Sequence, residues 1–285
     1  MMRGGRLFCA GPRRRTALIF VMSFTAVLSA GAEEFPPGCR PDAVITGIVA
    51  SVSDGRTFGL ERGGEVRLAA IEVPAPESTL APGAPQPDRM GTAALAAMIA
   101  GKTVSLRTAK SDKDRYGRLV AQVFVAGEGA ERWVQGELVA AGLAVVSARV
   151  GEPACAAELV RRERAAREAK LGLWADPYYL IGRAEEPAAI LAGRGRFSIV
   201  EGRVLSVRES GGTIYVNFGR RWSEDFTVTI AKRNARAFSA AGLEPKTLAG
   251  RRIRIRGVVE ERGGPWIEAA RPEQIELEHD ARTQK

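Results

Sequence analysis

Three short stretches hold the residues of this chain that could do chemistry. The first is Asp54-Gly55-Arg56-Thr57, the second Arg67-Leu68-Ala69-Ala70-Ile71-Glu72-Val73-Pro74, and the third Asp114-Arg115-Tyr116-Gly117-Arg118. All three set arginine beside carboxylate, a combination suited to anions. A guanidinium is a planar fork that donates two parallel hydrogen bonds to one phosphate. A nearby carboxylate can act as a base or as a ligand for a cation. The plain alternative is structural, because Asp-Gly is a common hairpin turn and arginines among carboxylates form salt bridges.

In order and spacing the three stretches resemble the active-site segments of the staphylococcal nuclease (thermonuclease) family, which read roughly D-G-D-T, R-L-x-x-[IV]-D-T-P-E and D-x-Y-G-R. In that family two carboxylates and one backbone carbonyl hold calcium, a glutamate positions or activates water, and two arginines grip the phosphate. Cations then meet the charge that develops on the phosphoryl oxygens. The resemblance places Arg67 and Arg118 on the phosphate-gripping arginines. Glu72 falls on one metal-binding aspartate, one methylene longer, and Arg56 falls on the other, a reversal of charge. Val73 replaces the threonine, though its carbonyl could still serve. Ala75 stands where the water-activating glutamate belongs, and Glu77 could substitute only with a rearranged loop. Tyr116 matches a position near the nucleotide; it reads equally as a half-buried hairpin tyrosine.

Charge sets the consequence. Calcium takes about six to eight oxygen ligands, several of them anionic. Here one carboxylate of the ligand pair remains, and an arginine that stays charged at any working pH repels the ion. The expectation is that Arg56 occupies the cation's place and pairs with Glu72. That leaves a site with no metal and no cofactor, able to bind phosphate and poorly equipped to cleave it. Calcium returns only if the site is a rebuilt, working phosphodiesterase.

The ends and cysteines speak to location. Residues 1–32 resemble a secretory signal peptide: Arg13, Arg14 and Arg15 precede an apolar run at 17–30, and Ala30-Gly31-Ala32 offers a cleavage site near Ala32. The apolar run is too short for a comfortable membrane span, and the alternative is an uncleaved anchor. Cleavage implies a secreted or periplasmic chain without a transmembrane segment. The 285 residues carry 42 basic and 33 acidic side chains, net +9; losing the five arginines before Ala32 leaves 37 basic, net +4. Basicity therefore argues less for nucleic acid than the whole-chain charge suggests. Of the three cysteines Cys9 leaves with the signal, so Cys39 and Cys155 are expected to form one disulfide, the alternative being two buried thiols. Two cysteines without supporting histidines make no zinc site, since the single histidine, His279, lies in the tail.

The elements that must position these residues follow from periodicity. Residues 44–52, 57–61, 65–71, 103–106 and 119–125 read as strands, and 90–99, 133–141 and 154–170 as helices. This order suits a five-stranded OB-type barrel carrying helices, the nuclease fold, over residues 40–176. Leu171-Gly172-Leu173-Trp174 resembles the family's ending, with Trp174 as core. The arginines at 161–167 read as a solvated helix face or as a nucleic-acid patch. Residues 177–194 read as a linker. A second small OB-like β-barrel follows at 195–278, with a long curved strand at 197–207, strands at 214–218 and 226–230, a helix at 235–241 and a hairpin from 252–259 to 266–269. The fold class is therefore mainly β with helices (α+β).

Charge divides the halves: residues 33–193 hold 19 basic and 21 acidic side chains, residues 194–285 hold 18 and 12. Alternation places Arg252, Arg254 and Arg256 on one face of a strand, as ligands for nucleic acid or as a basic outer face. Phe218, Trp222 and Phe226 offer stacking platforms or belong to the core. Three functions compete: an exported binder of nucleic acid or nucleotide phosphate with calcium-dependent cleavage lost; a phosphodiesterase using Arg67, Arg118 and Glu72, helped by Glu77; and an envelope protein whose barrels bind protein partners.

Overall fold

The computed structural model describes residues 39, 43–73, 87–108, 113–127, 130–147, 153–175 and 181–278. The expected signal segment, Ala75, Glu77 and His279 lie outside the described residues.

The first barrel is built from β1 (Ala43–Asp54), β2 (Thr57–Leu60), β3 (Glu65–Leu68), β4 (Ile71–Glu72), α1 (Pro87–Ile99), β5 (Thr103–Thr108), β6 (Leu119–Ala126), β7 (Glu131–Trp133), α2 (Val134–Ala140), β8 (Val145–Val146) and α3 (Pro153–Glu168). Strand order β3-β2-β1-β5-β6 closes through a parallel β3–β6 pairing, with Val66 opposite Leu119 and Arg67 opposite Val120. This is an OB-type barrel. Alternation fills it: Val66 and Leu68 of β3 and Val104 and Leu106 of β5 point inward with Phe58, Val123 and Leu95 of α1. Each such side chain, fully buried, stabilises the fold by about 1.5–3 kcal/mol. The same alternation turns Arg67 away from that core. Cys39 and Cys155 are disulfide-bonded, Cα–Cα 4.7 Å, tying the N-terminal arm to α3.

Residues 181–194 of the segment expected to be a linker are built into the second barrel. Its β9 (Ile181–Arg183) pairs in parallel with β10 (Phe197–Arg203), and α4 (Pro187–Ala192) buries Ile190 in the second core. A few apolar residues among Pro, Gly and acids suffice for this, and Pro187 starts the helix where no amide donor is needed. The rest is β11 (Ser206–Ser210), β12 (Thr213–Asn217), β13 (Thr227–Ala231), α5 (Ala235–Ala240), β14 (Arg252–Val258), β15 (Glu260–Arg262), β16 (Gly264–Glu268) and β17 (Ile275–Leu277). The expected long strand at 197–207 divides at Val204-Leu205, so that β10 pairs with β14 and β11 pairs with β12. A parallel β13–β16 pairing matches the β3–β6 pairing of the first barrel, and α5 falls in sequence between β13 and β16 as α1 falls between β3 and β6. Val145, Ala166 and Trp174 of the first barrel pack with Ile199 of the second in a small apolar cluster. Trp174 is core, as its position in the chain suggested.

Candidate functional site

The β1–β2 turn brings Arg56 to the site. Its amide donates to Asp54 Oδ1 at 2.8 Å, and its carbonyl accepts from Leu68 N at 2.8 Å, which fixes the turn against β3. Gly55 permits the approach, since a Cβ there would lie 3.2 Å from both the Gly91 backbone and Val73. Arg67 stands on β3 opposite Thr57, and Arg118 immediately precedes β6, the strand parallel to β3. Glu72 arrives on β4 after a turn in which Ala70 adopts φ 68°, a left-handed conformation that costs a β-carbon residue free energy. Such a turn persists only where its surroundings hold it; here Ser147 N donates to Ala70 O at 2.8 Å.

These elements converge on one carboxylate. Glu72 Oε1 accepts from Arg67 Nη2 at 3.0 Å, and Oε2 pairs with Arg56 Nη1. Arg118 is held separately: Asp114 Oδ2 accepts from its Nε at 2.8 Å, while Oδ1 accepts the amides of Tyr116 and Arg118 at 2.9 and 3.1 Å. Burial pushes the Asp114 carboxyl up, but these hydrogen bonds from Arg118 and the two amides outweigh it and hold it below the usual carboxylate range. The three guanidiniums stand within each other's fields. Burial first, then Arg67 and Arg118, lower the pKa of Arg56, with Asp54 opposing. Burial and then Arg118 lower that of Arg67. The side chains of Arg56, Arg67 and Arg118 remain 28%, 24% and 18% exposed, although Arg56 Nη1, against Glu72, is itself buried. Tyr116 is not half-buried: it is 65% exposed, with the guanidiniums of Arg115 and Arg118 over its ring at 4.7 and 5.0 Å. Among the described residues no group of three or more His, Cys, Asp or Glu side chains is placed to hold a metal ion.

A family model described as staphylococcal nuclease homologue matches residues 65–176. The chain carries a staphylococcal nuclease homologue domain. The matched span takes in Arg67, Glu72 and Arg118, and with β1 and β2 it makes up the first barrel. No curated protein matches the chain. No helix among the described residues is long and apolar enough to cross a membrane. The Cys39–Cys155 disulfide is compatible with an extracellular or periplasmic location.

The second barrel departs from expectation. Arg252, Arg254 and Arg256 do share one face of β14, but that face is neutralised from within. Arg252 donates to Glu278 at 2.9 Å and Glu201 at 3.0 Å, and Arg254 donates to Glu201 at 2.9 Å and pairs with Glu278. Arg256 is 1% exposed and bound to Glu163 and Glu276, so it cannot meet a nucleic acid. Phe226 is fully buried and Phe218 packs on it, centroids 5.1 Å apart, which leaves Trp222 as the one exposed aromatic of the three. The arginines of α3 divide too. Arg161 pairs with Glu158 in solvent, whereas Arg167 turns to Glu163 and Glu276 against the second barrel. A signal for this lay in the sequence: Glu163 falls on the buried stripe of Ala156, Leu159 and Ala166, where an acid needs a partner.

Proposed function

We propose that the chain is an exported nuclease-fold protein that binds nucleic acid or a nucleotide phosphate at Arg67, Arg118 and Arg56, with calcium-dependent cleavage lost. The observation that carries this reading is Glu72, engaged on one oxygen by Arg67 and on the other by Arg56. A calcium ion does not fit that donor set: the remaining carboxylate is already satisfied, and a fixed cation stands where a second anionic ligand would have to be. A phosphate does fit. Three guanidiniums held together repel one another, and an incoming anion relieves that repulsion while using donors the carboxylates leave over. Tyr116, exposed beside Arg118, offers a ring face to a base next to the bound phosphate. The disulfide and the N-terminal segment support export.

The test is binding of a fluorescently labelled oligodeoxynucleotide in chelator, across a salt series. The reading expects affinity that falls with salt as counterions are released, and a loss in Arg67→Ala and Arg118→Ala. Binding that ignores both substitutions, or capture of a protein partner independent of salt, contradicts it.

A further inference from the structure

The Arg256 side chain leaves its own barrel and ends inside the other. Its Nη1 donates to Val146 O at 3.1 Å and to Glu163 Oε2 at 3.0 Å, and its Nη2 donates to Glu163 Oε1 at 2.9 Å and to Glu276. Glu163, fully buried, accepts the Val146 amide on Oε2 at 2.6 Å. Both main-chain polar groups of Val146 are thus held by one ion pair that spans the two barrels. Val146 belongs to β8, which pairs with β4: Val146 lies opposite Ile71, and Val145 opposite Glu72. Each strand of this ladder has two residues, too few to be stable alone. One edge of β8 is fastened to β4, also through Ser147 N on Ala70 O, and the other edge to Arg256 and Glu163.

We propose that Arg256 is a positioning residue of the arginine site: through Val146 it holds β8 against β4 and so fixes the carboxylate of Glu72 that spaces Arg56 and Arg67. The second barrel is then a working part of the phosphate site and not an appended module. This rests on the phosphate reading above for its consequence, but not for its mechanism. The chain of contacts is continuous, from guanidinium to main chain to a paired strand to the site carboxylate. Nothing in it requires Arg256 to touch the ligand.

Hydrogen exchange of the full-length protein tests it, together with oligonucleotide binding. Arg256→Met alone leaves two buried carboxylates, Glu163 and Glu276, to Arg167, so a second variant, Arg256→Met with Glu276→Gln, removes one charge of each sign and keeps the Arg167–Glu163 pair. In that folded variant, amides at 70–73 and 144–147 are expected to exchange at least about tenfold faster, those at 54–58 and 119–125 as in the parent, and oligonucleotide affinity to fall about tenfold. Arg256→Lys, which keeps the charge but cannot fork, should recover part of both. Unchanged protection at 70–73 and 144–147 in the folded variant overturns the proposal. A parent protein that binds no oligonucleotide sinks the phosphate reading instead, and the exchange result still decides whether Arg256 holds the β4–β8 pair.

Discussion

At Arg56 a guanidinium faces Glu72 in the position where the family frame has a second carboxylate. If that one charge excludes calcium, replacing it should admit the ion. Arg56→Asp is expected to bind calcium at about 10⁻⁴–10⁻³ M by calorimetry, the range of weak oxygen sites, with no binding in the parent or in Arg56→Ala. Arg118→Ala should weaken oligonucleotide binding about tenfold and reduce the slope of log affinity against log salt by about 0.7–0.9, the share of one phosphate. Arg252→Ala, by contrast, should leave that slope unchanged, because Arg252 is already spent on Glu201 and Glu278. The pairing of Arg56 with Glu72 was readable from the chain, since charge reversal beside a retained acid has few other outcomes. The fate of Arg256 was not. Alternation gave its face correctly, but β14 does not encode that α3 covers that face with Glu163.

The elements show where local pattern suffices. Five barrel strands and three helices of the first domain fall close to where periodicity places them, because Val, Ile and Leu alternate cleanly and Gly101 and Gly142 stop the helices. The β4–β8 ladder was invisible, since two residues carry no period, and it delivers Glu72. Segment 181–194, within the stretch 177–194 that reads as a linker, hides its strand and helix for a related reason: its few buried side chains are spread among turn-forming residues. Helix α2 ends at Gly142, φ +68°, where a Cβ would lie 2.2 Å from the Leu171 carbonyl oxygen. Backbone cannot give way as a flexible side chain can. Gly142→Ala is therefore expected to cost roughly 2–3 kcal/mol in urea unfolding.

For the whole molecule, two cross-links set stability. The disulfide closes a separation of 116 residues, and its loss in Cys39→Ser/Cys155→Ser is expected to cost about 4–5 kcal/mol in the chain-entropy model. Within the inter-barrel ion network Glu276 makes stability depend on pH. Burial would raise the Glu276 carboxyl, but Arg256 and then Arg167 overcome it and hold it down to about 2. A carboxyl depressed in the folded state stabilises fully above its ordinary value of 4.5 and loses that contribution as pH falls toward about 2. Acid should therefore destabilise the protein across that window, and Glu276→Gln should flatten the slope there. The central claim, a nuclease frame with a guanidinium in place of the cation, meets its most direct test in one assay. The protein is incubated with labelled single-stranded and double-stranded DNA and RNA, with calcium and then with chelator, beside Arg118→Ala. The account predicts intact substrate under every condition and salt-sensitive binding, calcium or not, that Arg118→Ala weakens. Cleavage that requires calcium and disappears in Arg118→Ala would contradict it.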